Sequence, residues 1–403
     1  MNQFDDIRPY RDSEVPKVLS RLIADNEFID LLLSRRIPIL IRLIPWLIKP
    51  LARLLLKRSL RKLTVDVETV ADFQDHVKVG LQKSLDNTTD GYSFGGLDQL
   101  DPNQAYLFIS NHRDIALDPA IVNLALHTIE LDTVRIAIGD NLLSKPFASD
   151  LMRVNRSFIV KRSVEGRREK LESLKTLSAY IRHSVVEDKA SCWIAQAEGR
   201  AKDGNDRTET ALLKMLTLSK TKQQTFSEAI GQINLMPVSI SYEYDPCIVE
   251  KTRELFAAKQ GENYVKTEFE DLDSIQKGFL GYKGRVQVNF GGVMDAVFDT
   301  AEDLAVEVDR QIHSLYQIFP SNIVAWKMQQ GDDADGLDQL KQQWPEEDWS
   351  QSEAKFKDHL NLVPIEQQSL VIDAYAAPVK NQLDYQQSSS DADSLVNEDA
   401  IVC

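Results

Sequence analysis

Residues 105–129 read AYLFISNHRDIALDPAIVNLALHTI, and this stretch decides the class of fold. It begins with a short apolar run that ends in polar residues, which is typical of a buried strand. Asp118 and Pro119 then open a second apolar run, and an Asp N-cap with Pro at the first helical position marks a helix start. The stretch therefore predicts a strand followed directly by a helix, with His112 and Asp114 in the connection.

The same alternation of strand and helix continues along the chain. Further apolar or alternating runs predict strands at residues 133–139, 156–162, 190–199, 233–243 and 284–292. Leucine, isoleucine and valine recur at helical spacing between Glu165 and Val186. We therefore expect an α/β fold with a mixed, largely parallel sheet flanked by helices. Residues 91–104, GYSFGGLDQLDPNQ, are rich in Gly, Asp, Asn and Pro and predict a loop.

Composition divides the chain into segments around this core. We expect, in chain order, an acidic N-terminal segment, a basic amphipathic segment, a helical lead-in, the α/β catalytic domain, a helical C-terminal extension and a disordered tail, at residues 1–30, 31–65, 66–99, 100–299, 300–378 and 379–403. The tail is predicted to be disordered because it has too little apolar content to fold.

Bulk composition excludes several classes of protein. The net charge of −15 disfavours nucleic acid as the main partner. Three cysteines without paired spacing argue against a disulfide framework or a zinc knuckle. The acidic, polar start of the chain predicts no signal peptide. The sequence contains no Walker A or G-x-G-x-x-G motif, and we expect no metal and no cofactor.

Residues 31–65 differ in charge from the rest of the chain. They contain nine Lys or Arg and no Asp or Glu, whereas the remainder has 38 basic and 62 acidic residues. The longest charge-free runs have five or six residues, far short of the roughly 20 that span a bilayer. Pro38, Pro45 and Pro50 are expected to break or kink a helix. The segment favours contact with an anionic membrane surface, and the alternative is a helical hairpin packed on the main domain.

His112 follows the predicted strand of residues 105–110, at its carboxyl end. Ligand sites of open α/β sheets lie at that edge. A carboxylate from Asp118 or Asp114 can accept a hydrogen bond from the N–H of one ring nitrogen, which leaves the other nitrogen as a general base. The alternatives are a structural histidine, an Asp118 that only caps the helix, and an Asp114 that is a solvated loop carboxylate.

Charged residues also follow two other predicted strands. Lys161 and Arg162 end one strand. A polar loop after another strand carries four candidate substrate-binding residues, namely Glu198, Gly199, Arg200 and Lys202. Each group alone is typical of a solvated loop. Together, a base, a glutamate and several cations at the ends of strands describe a pocket for an anionic alcohol.

Four stretches in this order resemble the four sequence blocks of the glycerophospholipid acyltransferase superfamily, most closely its glycerol-3-phosphate acyltransferase branch. They are SNHRDIALD (110–118), SFIVKR (157–162), EGRAKDG (198–204) and LMPVSISYE (235–243). Residues 137–143, AIGDNLL, are also similar to the family segment between the first two blocks. The resemblance covers about residues 100–295.

The resemblance implies transfer of an acyl group from acyl-CoA or acyl-carrier protein to a hydroxyl of glycerol-3-phosphate or a lysophospholipid. By this resemblance His112 is the general base. Lys161, Arg162 and Arg200 bind the acceptor phosphate. Further substrate contacts are expected from Arg113, Glu198, Gly199 and Lys202. The expected location is the cytoplasmic face of a membrane, with residues 31–65 as a peripheral attachment.

The chain departs from the family pattern at its aspartate. In the family the aspartate is the fifth residue after the histidine, a position occupied here by Leu117. Asp118 comes one residue later and Asp114 comes three residues before Leu117, so both remain candidates. The third block is one residue shorter than in the family, and Arg156 replaces a usual glycine. Two other functions therefore stay open: an acyl-thioester hydrolase, and a catalytically silent lipid-binding scaffold.

Overall fold

The computed structural model describes residues 3–36, 45–267 and 270–399. Within these ranges the strands are β1 Gly91–Gly95, β2 Leu107–Ser110, β3 Arg135–Gly139, β4 Ser157–Val160, β5 Cys192–Ala195, β6 Leu235–Tyr242 and β7 Arg285–Phe290. The helices are α1 Val15–Ala24, α2 Asn26–Arg36, α3 Pro45–Leu63, α4 Val70–Thr88, α5 Leu117–Thr128, α6 Pro146–Val154, α7 Arg167–Arg182, α8 Thr210–Leu216, α9 Phe226–Gly231, α10 Ile248–Lys259, α11 Glu270–Leu280, α12 Ala301–Leu315, α13 Pro320–Gln330, α14 Leu337–Gln342, α15 Trp349–Leu360 and α16 Gln368–Asp399.

The chain divides into two compact units. The first contains Met1–Gly80 and Val134–Tyr180, and the second contains Leu81–Thr133 and Ile181–Cys403. The division falls within α4 and near the end of α7. Both units contain helices and parallel strands, and each is described by itself.

The first unit packs α1 against α6. Their buried side chains form one apolar cluster, which includes Val15, Val18, Leu19, Leu22, Phe147 and Val154. Strands β3 and β4 pair in parallel, with Ile136 opposite Ser157 and Gly139 opposite Val160. Lys161 and Arg162 therefore follow directly after the carboxyl end of β4, as predicted.

Helix α3 is not broken by the prolines of the basic segment that it contains, which corrects the prediction of a break, whereas a kink stays a prediction. Pro45 is the first residue of α3, a position whose backbone N–H has no partner within a helix, so the missing N–H of proline costs no hydrogen bond there. The helix then continues through Pro50. Contacts between α3 and α2 hold this helix, since Leu56 packs with Ile29 and Leu33. Pro38 lies outside the described residues.

The second unit contains a five-stranded part of the sheet in the order β1-β7-β6-β2-β5. Strands β1 and β7, β6 and β2, and β2 and β5 pair in parallel, whereas β6 and β7 are antiparallel. Helices flank these strands in sequence. The predicted fold class, an α/β fold with a mixed and largely parallel sheet, is confirmed.

Strand β1 is a correction to the loop predicted for residues 91–104. Tyr92 and Phe94 alternate with small residues, and β1 pairs in parallel with the edge of β7. The backbone pairing with β7 supplies its hydrogen bonds, so the glycines at both ends do not prevent a strand. The loop prediction holds after Gly96, which has a left-handed φ of 74°.

Helix α5 also begins differently from its prediction. The N-cap position is Ala116 and the first helical residue is Leu117, so Asp118 lies in the first turn. The carboxylate that bonds to the backbone N–H groups at this helix start belongs to Asp114, which accepts from Ala116 and Leu117 at 3.1 and 2.8 Å. Asp118 is thereby released from capping.

The C-terminal extension is helical, with a buried core formed by α13 to α16. The predicted boundary with a disordered tail at residue 379 is wrong for the described residues, because α16 continues without interruption through Pro378 to Asp399. Beyond that boundary Gln382 donates hydrogen bonds to the carbonyls of His313 and Tyr316, and Tyr385 stacks on the His313 ring. These contacts extend the packed part of the helix.

Candidate active site

The carboxyl ends of β2 and β5 bring two loops together. Ser110 of β2 is opposite Ala195 of β5, and the backbone N–H of Gln196 donates to the Ser110 carbonyl at 2.8 Å. Two residues beyond β2, the carbonyl of His112 accepts from the N–H of Ala201 at 2.9 Å. The sheet register thus places His112 beside the loop that follows β5.

His112 and Asp118 are hydrogen-bonded to each other. Nδ1 of His112 lies 2.8 Å from Oδ2 of Asp118, and the side chains are 14% and 0% exposed. The imidazole also contacts Trp193 edge-on, with ring centroids 5.7 Å apart. Nε2 has no hydrogen-bond partner in the part of the chain that the structure describes. Asp118 therefore holds the ring at Nδ1, and Nε2 is available for a hydrogen bond to a ligand.

Asp118 accepts four hydrogen bonds. Besides His112, Oδ2 accepts the backbone N–H groups of Arg113 and Asp114 at 2.6 and 2.9 Å. Oδ1 accepts the phenol of Tyr242, on β6, at 2.9 Å. Burial and the charge of Asp118 raise the pKa of Tyr242 well above its ordinary value, so the phenol remains a donor. The carboxylate therefore has a fixed position and full hydrogen bonding despite complete burial.

Asp114 has a different environment from Asp118. It is 5% exposed, accepts hydrogen bonds at the start of α5 and makes none to His112 among the described residues. Burial and the nearby charge of Asp118 raise the pKa of Asp114 to about 6. Helix α11 approaches it closely, since a Cβ added to Gly278 would lie 2.0 Å from its Oδ2. The two aspartates thus have different roles: Asp118 bonds to His112, and Asp114 caps the start of α5.

A cleft with a volume of about 380 Å³ opens beside His112. All of the residues predicted in the loop after β5 line it, namely Glu198, Gly199, Arg200 and Lys202. The lining also includes residues that the sequence did not indicate, among them Gln196, Asp206 and Leu255. The histidine and the predicted acceptor-binding loop therefore share one cavity.

Arg200 and Lys202 have different partners. Lys202 forms an ion pair with Glu254 of α10. Nη1 of Arg200 is buried and has no hydrogen-bond partner among the described residues. Burial disfavours the charge of Arg200, but the carboxylates of Asp245, Asp114 and Glu254 outweigh that cost, and its pKa is raised. Arg200 is a cation at the cleft that keeps unused donor capacity.

Arg113 is an internal ion-pair partner. Its guanidinium bonds to Asp206 at 2.5 Å, lies over the ring of Tyr316 and is 12% exposed. Burial opposes its charge and Asp206 raises its pKa. Lys251, which is also buried, donates to the Arg113 carbonyl at 2.7 Å. Arg113 is therefore held beside His112 by an internal ion pair, and its predicted contact with substrate stays a prediction.

Lys161 and Arg162 belong to the first unit and have local partners there. Lys161 pairs with Asp6, and both side chains are largely open to solvent, at 37% and 55% exposed. The backbone N–H groups of Arg162 and Ser163 donate to Asp140 at 3.1 and 3.2 Å. The structure thus places both residues at a strand end, as predicted, within a separate set of contacts.

Tyr242 is the main residue that sequence reasoning missed. It lies in the fourth block, SISYE, yet its hydrogen bond to Asp118 joins residues 124 positions apart. The pairing of β2 with β6, with Ser110 opposite Val238, brings it there. The available signal was a tyrosine near the carboxyl end of the strand predicted at residues 233–243.

The described residues contain neither a cluster of metal-ligating side chains nor a helix that could cross a bilayer. No group of three or more His, Cys, Asp or Glu side chains is arranged to hold a metal ion. Of the helices described, none combines the length and the apolar character that crossing a bilayer requires.

Residues 92–241 match the family model described as Acyltransferase, which confirms the predicted family resemblance. The matched segment includes His112, Asp118, Arg200 and most of β6. One similar solved structure is the 1-acyl-sn-glycerophosphate (LPA) acyltransferase PlsC from Thermotoga maritima. The similarity has 14% identity and a TM-score of 0.34, and covers 60% of this chain and 78% of that one. No curated protein matches the chain.

Proposed function

We propose that the chain transfers an acyl group from an acyl thioester to the hydroxyl of a glycerol-3-phosphate or lysophospholipid acceptor, with His112 as general base. The donor is acyl-CoA or acyl-carrier protein. The observation that carries the proposal is the 2.8 Å bond from His112 Nδ1 to Asp118, on a histidine that lines the cleft shared with Arg200. The acyltransferase match over residues 92–241 supports the same class of reaction.

In the proposed reaction Nε2 of His112 removes the proton of the acceptor hydroxyl. The oxygen attacks the thioester carbonyl carbon, and the carbon–sulfur bond breaks as the ester forms. The thiolate leaving group then takes the proton back from His112. Asp118 stabilises the imidazolium between these steps and fixes Nδ1 as the protonated nitrogen. No enzyme nucleophile is needed, because the acceptor itself attacks.

The acceptor phosphate is expected to bind to Arg200. Nη1 of Arg200 has no hydrogen-bond partner among the described residues, so it can donate a charge-assisted hydrogen bond to phosphate. Such bonds are among the stronger hydrogen bonds in proteins. Glu198, Gly199 and Lys202 line the same cleft and shape its opening. For Lys161 and Arg162 we keep phosphate binding as a proposal: Lys161 has to exchange the exposed carboxylate of Asp6 for the ligand.

We also propose that α3 rests on an anionic membrane surface. One face of α3 packs on α2, and the other exposes Leu51, Leu54 and Leu55, each at about 60%. Arg58 and Lys62 follow at helical spacing on the exposed face. An apolar stripe with adjacent cations fits the boundary between headgroups and acyl chains. Location on the cytoplasmic face follows from the anionic lipids found there.

The test of function incubates the protein with labelled acyl-CoA, or with the same acyl group on acyl-carrier protein. The acceptors are glycerol-3-phosphate, lysophosphatidate and other lysophospholipids. The proposal expects a labelled ester with at least one acceptor and little free fatty acid. Release of fatty acid without an acceptor would identify a thioester hydrolase. Lipid binding without turnover would identify a silent scaffold.

The membrane proposal is tested by flotation with anionic vesicles. The variant carries Leu51→Ser, Leu54→Ser and Leu55→Ser. The matched control replaces three exposed residues outside the segment: Val265→Ser, Val297→Ser and Ile365→Ser, all 83% exposed. We expect the first variant to remain in the bottom fraction and the control to float with the vesicles. Equal flotation of both would refute the attachment.

A further inference from the structure

The loop between β5 and α8, residues 196–209, is held by helix α12 of the C-terminal extension. Asp309 accepts hydrogen bonds from both the backbone N–H and the hydroxyl of Thr208, at 2.8 and 2.6 Å. One turn further along α12, Nε2 of His313 donates to the carbonyl of Asp206 at 2.8 Å. Burial lowers the pKa of His313, so its ring is neutral and acts as a hydrogen-bond donor through one nitrogen. Two side chains of one helix therefore fix two successive parts of the loop.

Helix α16 contacts the same loop at Gly204. Gly204 has a left-handed φ of 77°, and a Cβ placed on it would lie 2.0 Å from the carbonyl oxygen of Ala374. Only glycine allows this approach. The loop is thus confined between α12 and α16, both outside the segment matched by the acyltransferase family.

The middle of the loop lies between two clefts. Asn205, Asp206 and Arg207 line the cleft that contains His112, and they also line a second cleft of about 330 Å³ on the side of α12 and α16. Asn205 and Arg207 are exposed, whereas Asp206 is buried. Hydrogen bonds and ion pairs to particular side chains, those of Asp309 and His313 among them, therefore hold this part of the chain.

The restraint extends to the predicted site. Arg200 lies in the same loop, and Asp206 pairs with Arg113, the residue after His112. Asp206 also accepts a bond from Asn111 at 3.3 Å. A displacement of Asp206 or Thr208 therefore changes the position of Arg200 relative to His112.

We infer that α12 is a positioning element for the acceptor: Asp309 and His313 hold the loop of residues 196–209 in the conformation in which Arg200 binds the acceptor phosphate. This inference rests on the proposed function for the identity of the ligand. It assigns a role to residues 301–315, which the sequence left without one. Burial raises the pKa of Asp309 to about 6, so the charged carboxylate is less favourable at this position than in water.

The test compares Asp309→Ala with Asp309→Asn. The amide oxygen of asparagine still accepts from Thr208, whereas alanine leaves both donors without a partner. Val306→Ala, at an exposed position of the same helix, is the matched control. For Asp309→Ala we expect the KM for the phosphate acceptor to rise about 10-fold, with kcat and the KM for the acyl donor within about two-fold. Asp309→Asn and Val306→Ala are expected to resemble the unchanged protein.

Hydrogen exchange of the backbone amides of residues 199–208 gives a second readout that is independent of activity. We expect faster exchange in Asp309→Ala than in the other two variants. Unchanged exchange would overturn the inference, and so would faster exchange with an unchanged acceptor KM. A lower melting temperature with all three kinetic constants unchanged would assign Asp309 to stability alone. If the unchanged protein transfers no acyl group, the proposed function fails, and the exchange data alone decide whether α12 holds the loop.

Discussion

The His112 loop after β2 and the Lys161 loop after β4 hold their charged side chains in different ways. Asp118 is fully buried and accepts four hydrogen bonds. Lys161 and its partner Asp6 are 37% and 55% exposed. A buried carboxylate that loses a partner is costly, whereas an exposed ion pair contributes at most about 1 kcal/mol. The first loop is therefore preorganised, and the second can change partners at little cost.

The largest expected effect of this difference is in kcat. Asp118→Asn is expected to lower kcat by about 10²- to 10⁴-fold, because an amide can present an N–H to Nδ1 of His112 and favour the wrong tautomer. Asp6→Asn, the matching change in the Lys161 loop, is expected to leave kcat within about two-fold. Steady-state transfer of a labelled acyl group measures both. Equal losses in the two variants would remove the distinction between the loops.

The next effect is on acceptor affinity. Arg200→Ala is expected to raise the acceptor KM by about 10- to 100-fold, since a cation beside the cleft loses a charge-assisted bond to phosphate. Lys161→Ala is expected to raise it by only about two- to three-fold. Titration of the acceptor at saturating donor measures both values. A larger effect of Lys161→Ala would reverse the order that we assign to these cations.

The sequence predicted the polar loops around the site because each of them follows an apolar run. His112, Glu198 and Arg200 were predicted together on that ground, and they line one cleft. It could not reveal that Arg113 is occupied by Asp206, because that pair joins residues 93 positions apart. A cation that can bind substrate is therefore distinguished from one that an internal carboxylate holds only when the partners of both are known.

The N-cap assigned to Asp118 failed for a related reason. The sequence pattern of Asp followed by Pro indicates a helix start but does not say which carboxylate caps the helix. Here Asp114, three residues before Leu117, accepts the hydrogen bond from the Leu117 backbone N–H. The short strand β1 was missed because its glycines indicate a turn locally, whereas its stability comes from pairing with β7, almost 200 residues away. Local propensity gave way to tertiary pairing in β1, whereas the start of α5 is set by a second local carboxylate.

Tyr242→Phe sharpens the account of the His112 loop with a smaller change. It removes one of the four hydrogen bonds to Asp118, and we expect kcat to fall about 10-fold with unchanged KM for the acceptor. Tyr282→Phe is the matched control, because Tyr282 bonds to Asp90 at an exposed position. Steady-state kinetics decide the matter: a similar fall in both variants would show that the bond to Asp118 has no special role.

The smallest effect is on stability and depends on pH. The pKa of Asp114 in the folded protein is about 6, above the ordinary value of about 4 in the unfolded chain. Ionisation of Asp114 therefore costs stability progressively from about pH 4 to pH 6, and the full cost remains above that. Asp114 faces Asp118, which increases the cost, and Arg200, which decreases it.

Asp114→Asn keeps an acceptor for the start of α5 and cannot ionise. We expect its free energy of unfolding, relative to the unchanged protein, to rise by on the order of 1 to 3 kcal/mol between pH 4 and pH 7. Urea denaturation at both pH values measures the difference. Asp6→Asn, at an exposed position, is the control. A difference that stays constant with pH would contradict the buried, ionisable state of Asp114.

Loss of the His112 imidazole is the most direct test of the central claim that this ring deprotonates the acceptor. The measurement is labelled acyl transfer by His112→Ala beside His127→Ala, which changes a histidine at the other end of α5. We predict a fall of about 10²- to 10⁴-fold for the first variant and normal transfer for the second. Transfer that persists in folded His112→Ala would contradict the account.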